Sequence, residues 1–271
     1  MNTFINAECE RGEAARYIVV MTATIAPRGD TGKGLVRADP AQRRADYEVA
    51  LRFWLTLDAP WLAGVVFAEN SASSLVSLER VAREENLAKI PVELISLDLP
   101  APPLGLHYGY SELILVRNAV AKSQLARRVP YFIKATGRYR FPEVGKLVAK
   151  LPQKFSAAVD CKRAKRWNRN RHFLTHFALA IFQRDFFGRV VAPIPDKMIP
   201  APPWTRAQFV ETMLFDELIK HRGEPGVILR WPCNCEPEGV GANGDNYRSL
   251  TRRIQAAVRA VARICIPQLW I

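Results

Sequence analysis

The sequence predicts an α/β protein with a mostly parallel sheet flanked by helices and a C-terminal helical extension. Short apolar segments rich in β-branched residues alternate with longer amphipathic segments up to about residue 160. Nearly continuous apolar runs are typical of strands buried on both faces, and strands that alternate with helices are typical of parallel sheets. A chain of 271 residues is long enough for one large domain or two small ones.

Five apolar segments account for the predicted sheet. Each is short and ends in polar or small residues, which separate it from the helical segment that follows. The five segments are residues 16–25, 62–68, 92–97, 131–134 and 155–160. Two later segments, 173–182 and 227–231, also favour strands.

Amphipathic segments predict the helices. The first has Asp39 as its cap and Pro40 in its first turn. The helices are predicted over residues 40–57, 73–86, 109–128, 142–150, 185–191, 205–221 and 247–266. The proline-rich segment 193–203 predicts a loop or lid, and 239–246 a glycine-rich loop. We therefore expect a flexible arm over 1–15, one domain over 16–246, and a basic amphipathic helix over 247–271.

The charge balance favours anionic partners. The formal net charge is +13, which suits nucleic acid, anionic lipid or phosphorylated substrates. The N-terminus carries acids where a signal peptide needs an apolar core, and no apolar run reaches the length of a membrane span, so we expect a cytoplasmic protein. Five cysteines are an odd number and do not predict a disulfide framework.

Polar residues at the strand ends predict a binding site. The fourth strand runs into Lys134, Thr136, Gly137 and Arg138, which offer cationic donors, a hydroxyl and a close backbone approach. Open α/β sheets hold ligands at the carboxyl ends of their strands. The other strand ends carry Thr22 and Thr24, Glu69-Asn70-Ser71, and Asp160. The pattern favours a phosphorylated ligand; turn or cap residues are the alternative for each position.

Several acids are candidates for a general base, which must lie close to a nucleophile. They are Glu69, Glu112, Asp160, Glu211, Asp216 and Glu217. Asp-x-Asp is absent, so a divalent metal (Mg²⁺ or Mn²⁺) has no evident motif, and Lys and Arg are the candidates to replace its charge. Cys233-x-Cys235 lacks zinc spacing, and His172 and His176 form the one histidine pair at i, i+4.

Two basic segments have several interpretations. The run over 162–171, which contains Trp167, suits nucleic acid, anionic lipid or a phosphorylated substrate, or is a solvated loop. No nucleic-acid-binding signature accompanies it. The terminal helix suits an anionic membrane surface or is an ordinary packed helix.

In their order along the chain, these motifs resemble a group of bacterial glycosyltransferases encoded with capsule, O-antigen and exopolysaccharide genes. The similarity covers about residues 17–247, with the Glu69 triplet and the Lys134–Tyr139 segment as its most specific parts. The helix start over 107–112 lacks the glycine- and lysine-rich form expected there. The motifs comprise Thr22-Ala-Thr-Ile-x-Pro, Arg43 with Tyr47, Glu69-Asn-Ser, Tyr108-Gly-Tyr-x-Glu112, Lys134-Ala-Thr-Gly-Arg-Tyr139, Asp160 and the 239–246 loop.

The resemblance implies a GT-A-like, Rossmann-related sheet and a nucleotide-sugar donor. It also implies sugar transfer to a glycan acceptor that is lipid-linked, for bacterial surface polysaccharide. Carried over by position, the donor-site residues are Thr24, Glu69, Asn70, Ser71, Lys134, Thr136, Gly137, Arg138 and Asp160, with Tyr108 and Glu112 beside them.

The leading hypothesis is therefore a cytoplasmic glycosyltransferase that is peripheral to the inner membrane. Lys134 and Arg138 would offset the charge of the leaving diphosphate. Glu112 or Glu211 would be the base, and Asp160 is a further catalytic candidate. Tyr108 and Tyr139 are candidates for acceptor or loop contacts. The alternatives are a nucleic-acid-binding protein, which is less favoured, and a non-catalytic membrane-surface module.

Overall fold

The computed structural model describes residues 2–6, 12, 14–27, 35–57, 59–163, 173–200, 209–241 and 244–266. The contacts between residues divide the chain into two compact units. The first consists of Met1–Ala101, Ile114–Arg140 and Gly239–Asn246, and the second of Pro102–Leu113, Phe141–Glu238 and Tyr247–Ile271. The division expected from the sequence, into an arm, one domain and a terminal helix, stays a prediction.

Five hydrogen-bonded strands form the centre of the first unit. Its strands are β1 (Asn2–Ile5), β2 (Tyr17–Ala23), β3 (Leu62–Glu69), β4 (Val92–Ser96) and β5 (Tyr131–Thr136), in the spatial order β1-β4-β3-β2-β5. The pairs β4–β3, β3–β2 and β2–β5 are parallel, and β1 is antiparallel to β4. All residues of β2 are buried, as the continuous apolar run predicts. The predicted mostly parallel sheet flanked by helices is confirmed.

The N-terminal residues differ from the expected loose arm, because Asn2–Ile5 pair with β4. Asn2 Nδ2 donates to Glu93 Oε1 at 3.1 Å, and Ile5 is buried. An antiparallel strand can satisfy the exposed edge of a parallel sheet with only four residues. The polar composition of residues 1–15 hides this short pairing segment.

The helices follow the predicted periodicity, with one break. Asp39 caps α1 (Pro40–Leu55), its Oδ1 accepting from Ala41 N at 2.7 Å. The others among residues 76–127 are α2 (Val76–Glu84), α3 (Gly109–Lys122) and α4 (Gln124–Arg127).

The helix predicted over 109–128 is interrupted at Ser123. This residue has an extended backbone, and its Oγ accepts from Ala126 N at 2.9 Å while donating to Glu93 Oε2 at 2.6 Å. Serine competes well for backbone donors at a helix start. The side chain therefore ends α3 and begins α4, and it also satisfies a carboxylate that is fully buried in β4.

The second unit contains short strands and helices. In chain order they are α5 (Val144–Ala149), β6 (Ala157–Ala158), β7 (Cys161–Arg163), β8 (Phe173–Thr175), β9 (Leu179–Gln183), α6 (Arg184–Phe186), α7 (Val210–Lys220), β10 (Val227–Ile228) and α8 (Leu250–Cys265). A π-helical turn, Phe187–Val191, and a 3₁₀ turn, Ile194–Lys197, follow α6. Strand β6 is parallel to β10 and antiparallel to β9, and β7 pairs with β8.

Several sequence boundaries in the second unit shift. The strand predicted over 173–182 is two strands separated by a turn at 177–178, and those predicted over 155–160 and 227–231 shorten to two residues each. The basic residues 164–171, His172 and the helix start predicted at 205–208 lie outside the described residues. No helix among the described residues is long and apolar enough to cross a bilayer.

Candidate functional site

The strand order of the first unit reverses between β2 and β5. From β2 the chain proceeds outward through β3 and β4, and then returns to place β5 on the opposite side of β2. Open α/β sheets bind ligands in a crevice at the carboxyl ends of the strands on either side of such a reversal. The carboxyl ends of β2 and β5 are therefore the candidate site, and we call this position the crevice. Thr22 pairs with Thr136 in the register, and Ala23 pairs with Glu69. One edge of the sheet therefore carries the predicted residues at the carboxyl ends of neighbouring strands: Thr24, Glu69–Ser71 and Lys134–Arg138.

Gly137 brings the backbone after β5 against the end of β2. Its N–H donates to Thr22 O at 2.9 Å. A Cβ atom at this position would lie 2.6 Å from the same oxygen and 3.2 Å from the Tyr47 ring. Only glycine fits without moving backbone, so the floor of the crevice is a close contact between two chain segments.

Lys134 is fully buried and holds a neighbouring hydroxyl. It and Thr136 are two positions apart on β5, so their side chains share one face of the strand. Lys134 Nζ donates to Thr136 Oγ1 at 3.0 Å. Thr136 itself is half-buried. The ammonium therefore orients the threonine hydroxyl and places a positive charge beneath the crevice.

The Glu69-Asn70-Ser71 triplet holds the segment that follows β2. Glu69 is fully buried, and its carboxylate accepts from Ile25 N at 3.0 Å, from Ser71 N at 2.9 Å, from the Ser71 hydroxyl, and from Ser73 N at 3.1 Å. Ser71 Oγ also accepts from Ala26 N at 3.0 Å. Because both oxygens of the carboxylate accept these hydrogen bonds, Glu69 fixes the shape of the strand end.

Sequence reasoning gave Arg43 and Tyr47 no role of their own, although they lie four residues apart on α1. Arg43 is 5% exposed, and its guanidinium donates to Thr24 O at 2.5 Å, Arg37 O at 3.0 Å and Tyr47 Oη at 3.0 Å. Thr24 N donates to Tyr47 Oη at 2.9 Å. The pair thus holds the backbone of Thr24. The signal in the sequence is an arginine on the face of a helix that must pack on the sheet.

The glycine-rich loop over 239–246 lies in the first unit beside the end of β5. A Cβ on Gly239, whose φ is +139°, would meet Arg138 O at 2.9 Å and the Tyr139 ring at 3.2 Å. Gly244 has φ +84° and lies against Val36. Arg138 is half-buried, with its guanidinium carbon 5.6 Å from the centre of the Tyr139 ring, and Tyr139 is buried.

The remaining predicted residues lie in the second unit. Glu112 is in the first turn of α3, and Glu211 is in the first turn of α7. His107 stacks on Phe209 with 4.3 Å between ring centres, which brings the segments preceding these two helices together. Tyr108, immediately before α3, is 53% exposed.

Asp160 is bound by an arginine of α8. Its two carboxylate oxygens accept from Arg263 Nη2 at 2.7 and 2.6 Å. Arg263 also donates to Asn234 Oδ1 at 2.5 Å and to Trp231 O at 2.9 Å. Both partners of this ion pair are largely buried. The structure therefore gives Asp160 the task of holding α8.

The described residues do not fit a metal ion. No group of three histidine, cysteine or acidic side chains among them is arranged to hold one. Burial raises the pKa of Cys233, and that of Cys235 well above its ordinary value, so both are protonated thiols at neutral pH. We therefore derive no step through Mg²⁺ or Mn²⁺.

Comparison with known proteins gives distant structural similarity only. No protein-family model matches the chain, and no curated protein matches it in sequence. Among solved structures, the glycosyltransferase GlyE of Streptococcus pneumoniae TIGR4 has 10% identity and a TM-score of 0.45, covering 78% of this chain and 44% of that one. The 4-diphosphocytidyl-2C-methyl-D-erythritol synthase of Anaerococcus prevotii DSM 20548 has 9% identity and a TM-score of 0.43, covering 90% and 96%. Mouse xyloside xylosyltransferase 1 has 12% identity and a TM-score of 0.38, covering 76% and 82%.

Proposed function

We propose that the crevice between β2 and β5 binds a nucleotide-sugar and that the protein transfers the sugar to a glycan acceptor. The observation that carries this proposal is the reversal of strand order at two strands whose ends meet at Gly137. Such reversal points are where open α/β sheets bind nucleotides. The proposal rests on the geometry of this chain.

Positive charge at this edge supports an anionic ligand. Arg43 is buried and donates to two carbonyl oxygens and a phenol, so no described carboxylate neutralises it by direct contact. Lys134 is buried, and its ammonium donates to the hydroxyl of Thr136. Arg138 comes directly after Gly137. The hydrogen bond to Asp46 raises the pKa of Arg37, and the nearby charge of Arg138 opposes this rise in part. Arg43 is thus a buried cation bound by neutral groups, and such a cation raises the local potential, which favours a diphosphate.

In the proposed reaction, an acceptor hydroxyl attacks the anomeric carbon of the donor sugar. The new carbon–oxygen bond forms as the bond to the nucleoside diphosphate breaks, and the diphosphate leaves with the electron pair. The hydroxyl proton passes to a carboxylate that serves as the base. Arg138 would stabilise the charge that develops on the diphosphate. Lys134 would act through Thr136, as a positioning residue.

The finer parts of the hypothesis are also proposals. A lipid-linked glycan acceptor and a role in bacterial surface polysaccharide synthesis follow from the motif resemblance alone. Glu69 and Ser71 would shape the donor site rather than contact the sugar, because they bind each other and neighbouring backbone N–H groups. Asn70 stays a candidate for contact with the donor. Asp160 is assigned to structure rather than to catalysis, because Arg263 binds its carboxylate.

Titration calorimetry with a panel of uridine, guanosine and cytidine diphosphate sugars tests the proposal. We expect one nucleotide class to bind at micromolar to millimolar concentration, and Arg138→Gln to weaken that binding about tenfold, which corresponds to one lost charge-assisted hydrogen bond. Arg80→Gln, which removes an exposed arginine of α2, is the matched control and should bind as the wild type does.

Two outcomes would contradict the proposal. One is the absence of binding by every nucleotide-sugar at millimolar concentration. The other is pyrophosphate release from CTP and a sugar phosphate without transfer from any nucleotide-sugar, which would assign the crevice to nucleotidyl transfer. If the Arg138→Gln and Arg80→Gln proteins bind with equal affinity, the diphosphate does not contact Arg138.

A further inference from the structure

Helix α8 has its polar side toward the protein and its apolar side toward solvent. Five of its large apolar side chains recur at helical spacing and are more than half exposed. They are Leu250 (71%), Ile254 (56%), Val258 (54%), Val261 (60%) and Ile264 (82%). A helix packed by hydrophobic burial has the opposite orientation. We call these five residues the α8 stripe.

Polar contacts fix this orientation. Arg259 Nε donates to Glu236 at 2.9 Å, and Arg263 binds Asp160 as described above. Asn234 Nδ2 donates to the carbonyl oxygen of Ala256 at 2.7 Å. The inner face also carries Gln255, whose side-chain oxygen is buried, and small residues such as Ala262, which is buried. Since ion pairs and small residues hold the helix, its large apolar residues remain available for another partner.

A concave groove of ≈ 390 Å³ runs beside α8 within the second unit. Its charged lining consists of five basic side chains and three acids. The basic residues are Lys162, Arg248, Arg252, Arg253 and Arg259, and the acids are Glu143, Glu236 and Glu238.

The acids of the groove leave a positive excess. Glu236 binds Arg259, Glu238 binds Arg248 at 2.9 Å, and Glu143 binds Lys146, which does not line the groove. Burial and then the charge of Arg259 lower the pKa of Lys162, as expected for a cation held among cations. The groove is therefore suited to a small, strongly anionic group.

We propose that α8 is a membrane-binding element, with its stripe in the interfacial layer of an anionic bilayer and a phosphorylated lipid headgroup in the groove. Both features lie on the same helix, so a single amphiphilic partner can satisfy them together. A helix of 16 residues is about 24 Å long, and lying flat it would present the whole stripe to the bilayer. The proposal does not depend on the nucleotide-sugar site of the first unit.

Charge selects lipid over the other occupants. A second copy of this chain would leave the positive groove without an anionic group, and one helical stripe is small beside the roughly 1,000 Å² that a stable interface buries. A nucleic acid would match the groove but would leave the apolar stripe exposed. An anionic lipid matches both the positive groove and the apolar stripe.

Vesicle flotation tests the proposal with the full chain. We compare phosphatidylcholine vesicles with vesicles that contain phosphatidylglycerol in addition. We expect binding to the anionic vesicles, at least tenfold weaker binding to the neutral ones, and partial release by high salt. Replacing both Ile254 and Val258 by serine should lower the affinity at least tenfold, because two large apolar side chains no longer enter the bilayer. Leu104→Ser, at another exposed leucine of the second unit, should have no effect.

The groove is tested by Arg253→Gln. This arginine is exposed on α8, so its loss should leave the fold intact while lowering affinity for anionic vesicles about fivefold. Arg222→Gln removes another exposed arginine of the second unit and should leave affinity unchanged.

Four results would overturn the proposal. These are no flotation of the wild-type protein, equal binding to neutral and anionic vesicles, a dimer that the serine variants convert to a monomer, and oligonucleotide binding that vesicles do not displace. Circular dichroism of each variant establishes that the fold is retained.

Discussion

His107 should make the stability of the protein depend on pH. Its ring is 5% exposed, stacked on Phe209 and in contact with the ring of Tyr108 at 3.7 Å between centres. Gly109 N donates to His107 Nδ1 at 3.2 Å, which requires that this nitrogen carry no proton. Burial lowers the pKa of His107 from 6.5 to about 4, and the charge of Glu112 opposes this only in part. The folded protein therefore keeps a neutral imidazole.

The magnitude follows from the two pKa values. Between pH 6.5 and about 4 the unfolded chain binds a proton that the folded chain does not. The stability that the neutral His107 contributes is therefore complete above pH 6.5 and is lost as the pH falls through this window. Each pH unit of the gap corresponds to about 1.4 kcal/mol, so the free energy of unfolding should fall by about 2 kcal/mol at pH 5 from this residue alone.

Urea unfolding at pH 7.5 and pH 5 measures this loss. His107→Asn keeps an acceptor for Gly109 N, and His107→Phe keeps the stacking on Phe209; neither variant can titrate at this position. Both should be less stable than the wild type at pH 7.5, yet each should lose about 2 kcal/mol less than the wild type between the two pH values. If wild type and variants lose equal stability, His107 is not buried in its neutral form and the reasoning is wrong.

Three further predictions concern the strand ends and α8. Glu69→Gln should lower the free energy of unfolding by about 2–3 kcal/mol, since an amide NH₂ must then face backbone donors. Glu79→Gln, at a surface ion pair, should change this free energy by less than about 0.5 kcal/mol. Equal urea midpoints for the two variants would contradict this prediction. Gly137→Ala should destabilise the protein by about 1–3 kcal/mol, because its Cβ would press on the β2 backbone. Gly145→Ala, in α5 with open space around it, should instead stabilise the protein by about 0.5–1 kcal/mol. If calorimetry shows that both substitutions change stability in the same direction, the contact at Gly137 is refuted. Asp160→Asn should speed tryptic cleavage within α8 without affecting nucleotide binding, and unchanged cleavage would show that another contact holds the helix.

The sequence predicts the first unit well because its signals are local. Continuous apolar runs define β2 to β5, and Asp39 followed by Pro40 marks the start of α1 to the residue. The convergence of the polar strand ends follows once the sheet is parallel. Local signals failed where a distant residue decided the structure, as at Ser123, where a bond to Glu93 helps to divide one predicted helix into two.

The orientation of α8 shows a different limit. Helical periodicity identifies an apolar side and a basic side, but it does not say which of them faces the protein. That choice depends on Asp160, which lies 103 residues before Arg263 and is the partner of its guanidinium. The same contact explains why Asp160, predicted at a ligand-binding strand end, is engaged elsewhere.

Buried charge at the strand ends has a common purpose in the first unit. Glu69, Arg43 and Lys134 are almost inaccessible, and their bonds to backbone and hydroxyl groups fix the segments after β2, β3 and β5. Placing a charge in the interior is unfavourable, and an apolar residue would pack there at lower cost if stability were the only requirement. Under the proposed function, these three residues would hold the crevice in one shape before a ligand binds, which lowers the ordering cost of binding. Sequence motifs at such a site identify the residues that build it, and under the proposed function the ligand contacts would fall to their half-buried neighbours Thr136 and Arg138.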